Sequence, residues 1–385
     1  ILASKIVFQE LMCNKTHTFP MTHNGYLKLY ALSRPRLDRT YDIVLVDEAQ
    51  DISPVVQGIV LAQKCGKIIV GDSHQSIYSF TGAKNTLKQL RDSRKASKHY
   101  VLTQSFRFGW RIAALANFLL HKYKRDGIGA GACGLRRVVG TTTKSAISLC
   151  AAERFYEWPG AERSHPVTQR TMPYCIVART NQTLWHVAMT FLNDRTPFVF
   201  VSGAKGYNFS RAINVAKFLG GENVDGKFFK LFKRPTDLLD FAQKTSDGEL
   251  LRCFEIVRQF GSEVIVRSFQ NIIAESESHE RENLSSGLPN VVRLGTVHKV
   301  KGLEFPAVLI APDFIDLEES PVDMEEVNML YVAITRAQFR LRVPDQLFYS
   351  LARSGFSDVV AVEYGSRDPA VTFEYINAMD RLEGE

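Results

Sequence analysis

The sequence predicts an α/β protein with parallel sheets in two domains, the second interrupted by a mainly helical insertion. Three observations point there. The stretches "YDIVLVDE" (41–48), "SPVVQGIVLAQKC" (53–65) and "GKIIVGD" (66–72) read in order as strand, helix and strand. That order makes a βαβ unit, whose strands pair in parallel. A second strand, polar loop and helix, "PYCIVARTNQTLWHVAMTFL" (173–192), opens near Tyr174. Residues from about 206 to 288 then lack strand alternation, and "VVRLGTVHKVKGLEFPAVLIAPDF" (291–314) restores two strands around a polar turn.

The first strand is an apolar run, so it is expected to be covered on both faces. "HYVLTQSFR" (99–107) reads as a third strand leading into the helical "WRIAALANFLLHKYKR" (110–125). From Asp126 to about Pro173 the chain is rich in Gly, Thr and Ser, and part of it reads as a hinge with loops. After the helical segment, "DMEEVNMLYVAITRAQ" (323–338) reads as a helix and "FRLRVP" (339–344) as a strand. The expected division is 1–102 for the end of a first domain, and 103–205 and 289–345 for two segments of the second. The insertion takes 206–288 and a tail 346–385.

A chain of 385 residues, 45% hydrophobic and 23% charged, has ordinary globular composition with room for two or three domains. Its 48 basic and 41 acidic residues give +7 and a pI near 9.0. This is compatible with a polyanionic partner, and shared by many enzymes with neutral ligands. Cys13, Cys65, Cys133, Cys150, Cys175 and Cys253 lie far apart without a CxxC pair, which argues for reduced thiols rather than zinc or disulfides. No stretch is long and apolar enough to span a bilayer, and no signal peptide is visible. The first residue is Ile1, so the chain reads as a fragment or as trimmed at its start.

Chemistry concentrates in a few stretches. The first strand delivers Asp47, Glu48 and Asp51 to one edge, and in parallel sheets ligands collect at the carboxyl ends of strands. "VGDSHQSIYSFTGA" (70–83), "LTQSFRFG" (102–109), "LGTVHKVKGLEF" (294–305) and "EEVNMLYVAITRAQ" (325–338) follow in that order. Together with "DEAQD" they resemble the superfamily 1 DNA helicases of the UvrD/Rep type, and among these the F-box DNA helicases and their bacterial relatives. The resemblance runs from about Thr18 to Arg342.

The resemblance implies two RecA-like P-loop NTPase domains and an ATP-dependent helicase acting on single-stranded DNA or tailed duplexes, with 3′ to 5′ polarity and a role in repair or recombination. It implies Mg²⁺ at Asp47 and a water-orienting or water-deprotonating role for Glu48. Gln75 is expected at the γ-phosphate, and Arg107 and Arg336 as arginine fingers; the arginine fork suits phosphate oxygens. Phe106 is expected to stack on adenine and Glu304 to bind the ribose, with Gly302 in the same nucleotide-binding turn. Tyr78 and Phe80 would offer stacking faces to bases, and Thr296 and His298 would contact the strand. Recombination or ubiquitin-ligase partners follow if the likeness to F-box helicases holds, with a nuclear location in a eukaryote or a cytoplasmic one in a bacterium. No membrane partner is expected.

Plainer readings stand beside these. Arg107 could form a surface ion pair, Phe106 could be core, and Gln75 could be a loop residue. Arg336, placed inside an apolar helix, would carry a costly buried charge, which favours a function. His298 has no companion at metal-ligand spacing. "GKFFKLFKRP" (226–235) is expected to be one amphipathic helix with solvated lysines rather than a DNA stripe.

Two departures from the family pattern matter. Thr81 follows Phe80 where an arginine is usual. No GxxxxGK[ST] occurs, since "CGKIIV" and "DGKFFK" lack its spacing and its hydroxyl residue. The phosphate-cradling half of the site is therefore expected upstream of these residues. The rival readings are a paralogue without a P-loop that binds DNA or protein, and a helicase–nuclease subunit; no nuclease-like cluster follows Arg342.

Overall fold

The computed structural model describes residues 21–83, 86–92, 98–123, 139–141, 145–150, 155–158, 163–165, 168–224, 228–286, 291–314 and 322–351. The chain divides into two compact units, residues 1–101 and 102–385. Residues 352–385 of the expected tail, and 126–138 of the expected hinge, lie outside the described residues.

In the first unit, helix α1 (His23–Leu32) is capped by Thr22, whose hydroxyl accepts from Gly25 N. Strand β1 (Ile43–Val46) leads to α2 (Pro54–Leu61), capped by Ser53 with Pro54 in its first turn. Strand β2 (Gly66–Ile69) pairs with β1 in parallel, from Ile43 opposite Gly66 to Val46 opposite Ile69, and α3 (Thr86–Asp92) follows. The expected βαβ unit is present. The expected burial of β1 on both faces is not: Ile43 is 51% and Leu45 72% exposed, while Val44 and Val46 are half-buried. Among the described residues β1 and β2 form a sheet of two, and only one of its faces is covered.

The second unit begins with β3 (Gln104–Gly109), α4 (Trp110–Tyr123) and β4 (Val139–Thr141), β3 and β4 pairing in parallel. The expected strand at 99–107 is thus displaced: residues 99–103 are not strand, and the strand starts at Gln104. A six-stranded sheet follows. It comprises β5 (Ala146–Cys150), β6 (Tyr174–Ala178), β7 (Phe198–Phe200), β8 (Val292–Thr296), β9 (Phe305–Ile310) and β10 (Ala337–Pro344). Its order is β5-β10-β9-β6-β8-β7, and every pairing is parallel. Strands β4 and β5 fall in the stretch read as hinge and loops; both are short, and β5 lies at the sheet edge. All five residues of β6 are buried, which is why "YCIVA" is apolar without alternation.

Helix α5 (Asn181–Asn193) follows β6. Between β7 and β8 the described chain is helical: α6 (Phe209–Leu219), α7 (Pro235–Lys244), α8 (Gly248–Phe260) and α9 (Ser262–Ser286). Their packing joins the sheet's core through aromatic contacts, with Trp185 5.1 Å from Phe269 and Phe209 5.1 Å from Phe269, ring centre to ring centre. The one-turn α10 (Val297–Val300), then α11 (Met324–Ile334) and α12 (Asp345–Leu351) complete the unit.

"GKFFKLFKRP" is not one helix. Its described part is a 3-10 turn at Phe229–Leu231, an extended Phe232, and α7 starting at Pro235; residues 225–227 lie outside the described residues. Proline suits a first helical turn but does not continue a preceding one, so the break falls before it.

Candidate nucleotide and DNA sites

In the first unit the acids follow the carboxyl end of β1. Asp47 Oδ1 accepts from Glu48 N at 2.8 Å, which folds the carboxylate back over its own turn. Glu48 has φ +50°, a left-handed conformation that is sparsely populated by residues with a side chain. Such strain, of order 1–3 kcal/mol, persists only where surrounding contacts hold it.

Here the holder is Gln50, which is fully buried. Its Nε2 donates to Glu48 Oε2, and its Oε1 accepts from Asp72 N at 3.1 Å. Gln50 thereby ties the "DEAQD" turn to the "GDSHQ" turn after β2. Gly71 permits this approach: a Cβ there would stand 2.3 Å from Gln50 Oε1 and 2.9 Å from Ala49 N. Asp72 then accepts from His74 N and from Gln75 Nε2, both at 2.9 Å. Gln75 is accordingly held by Asp72, on the same side of the sheet's loop cluster as the acids.

Tyr78 and Phe80 follow, with ring centres 6.1 Å apart and planes at 51°. Phe80 is 73% exposed. Burial, together with the nearby charges of Asp51 and Glu48, pushes the Tyr78 phenol up from its ordinary value. The two stacking candidates thus adjoin the acidic turn. The side chain of Thr81 lies outside the described residues.

In the second unit β3 presents Phe106 and Arg107. Phe106 is 86% exposed, so the core reading does not hold for it. Arg107 Nε donates to Glu304 Oε2 at 3.0 Å, and its Nη1 donates to the Thr335 carbonyl at 3.3 Å. Gln338 Nε2 donates to Glu304 Oε1 at 2.9 Å. Gly302 has φ +81°, where glycine is favoured, and turns the chain between α10 and β9 so that Glu304 faces Arg107.

Arg336 is not inside a helix. Helix α11 ends at Ile334, Thr335 caps it, and Arg336 occupies the turn before β10. Its side chain is nevertheless 1% exposed. The guanidinium donates to the carbonyls of Val332 at 3.0 Å and Leu303 at 3.1 Å, and to Thr335 Oγ1 at 3.2 Å. Its own carbonyl accepts from Phe305 N at 2.9 Å. Arg336 therefore brackets the turn that carries Glu304. The structure brings Arg107, Gly302, Glu304 and Arg336 into one cluster, with Phe106 exposed beside it.

Thr296 ends β8 and is 7% exposed, so little of it is available to a strand of DNA; His298, in α10, is half-buried. Among the described residues no group of three or more His, Cys, Asp and Glu is arranged to hold a metal ion. Cys65, Cys150, Cys175 and Cys253 are free thiols.

Residues 4–95 match the UvrD/REP helicase N-terminal domain, and residues 240–344 match the UvrD-like helicase C-terminal domain. The chain belongs to the UvrD-like helicases. It is 32% identical to F-box DNA helicase 1 of Gallus gallus, over 88% of this chain and 32% of that protein. It is 28% identical to F-box DNA helicase protein 1 of Schizosaccharomyces pombe, over 86% of this chain and 37% of that protein. A probable DNA helicase II homolog of Mycoplasma pneumoniae is 21% identical over 99% of this chain and 62% of its own length. The chain thus spans about a third of the length of the F-box relatives it matches.

Among the described residues in these polar contacts, four escaped sequence reasoning: Gln50, Arg179, Glu326 and Gln338. Gln50 had a signal, an uncharged residue placed between acids in "DEAQD". The others act through partners more than thirty residues away, which no local pattern reveals.

Proposed function

We propose that the chain forms part of the motor of an ATP-dependent DNA helicase or translocase acting on single-stranded DNA, with 3′ to 5′ polarity and a role in repair or recombination. The observation that carries this is the convergence of Arg107, Glu304 and Arg336 around one turn beside the exposed Phe106. An aromatic face, a carboxylate and two guanidinium groups match the parts of a nucleotide: base, ribose and phosphates.

The first unit carries candidate chemistry of its own. Asp47 and Glu48 are hard oxygen donors, and Mg²⁺ in phosphoryl-transfer sites takes one or two carboxylates together with phosphate oxygens and water. The donor set therefore fits Mg²⁺ with ATP, although it is too small for an all-protein cage. Asp47 would hold the metal, which when bound neutralises phosphate charge. Glu48, fixed by Gln50, would orient or deprotonate the attacking water. Gln75 would report the γ-phosphate, while Arg107 and Arg336 would stabilise the charge that develops on it. Phe80 and Tyr78 would stack on bases in a sequence-tolerant way. The F-box relatives, both DNA helicases by name, support DNA as the partner, and their eukaryotic sources favour a nuclear setting.

A second reading is favoured by one observation: the 385 residues contain no GxxxxGK[ST]. On that reading the chain is a binding module without turnover. The two are separated by Glu48→Gln in the full-length protein that contains this chain. The substitution keeps shape but removes the base, so ATP should still bind while DNA-stimulated turnover disappears. Equal turnover in the variant would exclude the motor reading.

A further inference from the structure

The turn after the central strand β6 is fixed on two sides. Asp313, which follows β9, accepts from Arg179 N at 3.0 Å, Thr180 N at 2.9 Å, Thr180 Oγ1 at 3.0 Å and Thr183 Oγ1 at 2.6 Å. The Arg179 side chain takes a different partner. Its Nε lies 2.8 and 2.7 Å from the two carboxylate oxygens of Glu326, and its Nη2 donates to the same group. Glu326 sits in the first turn of α11 with its side chain 6% exposed, whereas that of Arg179 is 34% exposed.

Two neighbours give this pair its meaning. On one side, Ala178 pairs directly with Thr296 in the sheet, so Arg179 adjoins the carboxyl end of β8, where Thr296 is buried and the nearby His298 of α10 is half-buried. On the other, α11 runs from Glu326 to Thr335 and Arg336, and every residue from Glu326 to Ile334 is buried. A helix packed on all sides moves as a rod, here about 16 Å long at 1.5 Å per residue. At its far end the Thr335 carbonyl holds Arg107, and Arg336 holds the turn of Glu304.

We propose that Arg179 is a positioning residue: through Glu326 it links the carboxyl edge of β6 and β8, where His298 is the remaining candidate for DNA contact, to the helix that sets Arg107 and Arg336. The bidentate fork holds α11 in register, and a shift at the β6 turn is passed along it to the nucleotide cluster. This inference rests on the motor reading above and adds a route between its two sites.

The test compares Arg179→Gln, Glu326→Gln, the double variant and the charge-reversed pair (Arg179→Glu with Glu326→Arg) in the full-length protein. Each single variant should lower DNA-stimulated kcat about tenfold, a typical coupling between sites. The Kd for single-stranded DNA and the KM for ATP should stay within about twofold, and the double variant should lose no more than the worse single one. The reversed pair should recover part of the loss. A loss expressed mainly in DNA affinity would make Arg179 a DNA ligand instead; additive losses, or an unaffected Glu326→Gln, would also overturn the proposal. If the wild-type protein shows no DNA-stimulated turnover, the motor reading fails, and hydrogen exchange decides the linkage alone. Both single variants should then speed exchange in residues 324–336 and leave α9 unchanged, and unaltered exchange in 324–336 would overturn it.

Discussion

Arg107 and Glu304 are bound to each other, Nε to Oε2 at 3.0 Å, although they lie far apart in sequence and are assigned to different parts of a nucleotide. Their side chains are 29% and 51% exposed, so the pair is a solvated one, worth about 0–1 kcal/mol. On the proposed nucleotide reading, an incoming nucleotide would exchange it at little cost: phosphate oxygens would replace the carboxylate at Arg107, and a ribose hydroxyl would meet the carboxylate freed at Glu304. Gln338 keeps the carboxylate in place while that exchange occurs. The ion pair thus holds both groups ready without locking them.

Glu304→Ala should act on binding rather than on chemistry. A hydrogen bond to a charged group contributes about 1.5–3 kcal/mol, so the KM for ATP should rise at least about tenfold with kcat little changed. The same variant should lose discrimination between ATP and an analogue lacking the ribose hydroxyls. Steady-state kinetics with both nucleotides checks this, and retained discrimination would remove Glu304 from the ribose.

Arg336 has two roles to separate, because its guanidinium is buried against carbonyls. Truncation leaves those acceptors unsatisfied, at a cost of about 1–3 kcal/mol. Arg336→Ala should therefore lower the melting temperature of the protein and also lower turnover at temperatures where it stays folded. A variant that melts early yet turns over ATP normally in the cold would leave Arg336 a structural tie only.

Phe80 is exposed, with Tyr78 tilted beside it. Phe80→Ala should cost about 1–3 kcal/mol of single-strand affinity, the usual scale for one stacked base. The loss should be similar on different homopolymers, since stacking does not read base edges. Unchanged affinity on all of them would place the strand elsewhere.

Much of this organisation is legible in the sequence, and the failures have physical causes. The βαβ order, the helical insertion and the parallel second sheet follow from the order of apolar runs, and in the second sheet the run "YCIVA" is buried throughout, as its pattern demands. The run "IVLV" misleads, since an apolar pattern reports what a strand can bury and not what covers it: Leu45 stands 72% exposed. The register of "AITRAQ" is missed by a few residues because α11 stops at Ile334, with no glycine or proline to mark the end. Short strands such as β4 and β5 carry too few residues to show a period. Side-chain types in the nucleotide cluster can be named from motifs, but that Arg107 meets Glu304, or Arg179 meets Glu326, depends on pairings between remote strands and helices.

Arg107 is proposed to serve phosphate chemistry, and ATP turnover tests that role. ATP turnover by the full-length protein, with and without single-stranded DNA, should be compared between wild type and Arg107→Ala, with folding checked by thermal melting. Because Arg107 makes a solvated ion pair, its loss should leave the melting temperature nearly unchanged. DNA-stimulated kcat should nevertheless fall about a thousandfold, the scale expected for an arginine finger. Wild-type kcat in a folded Arg107→Ala protein would remove Arg107 from phosphate chemistry.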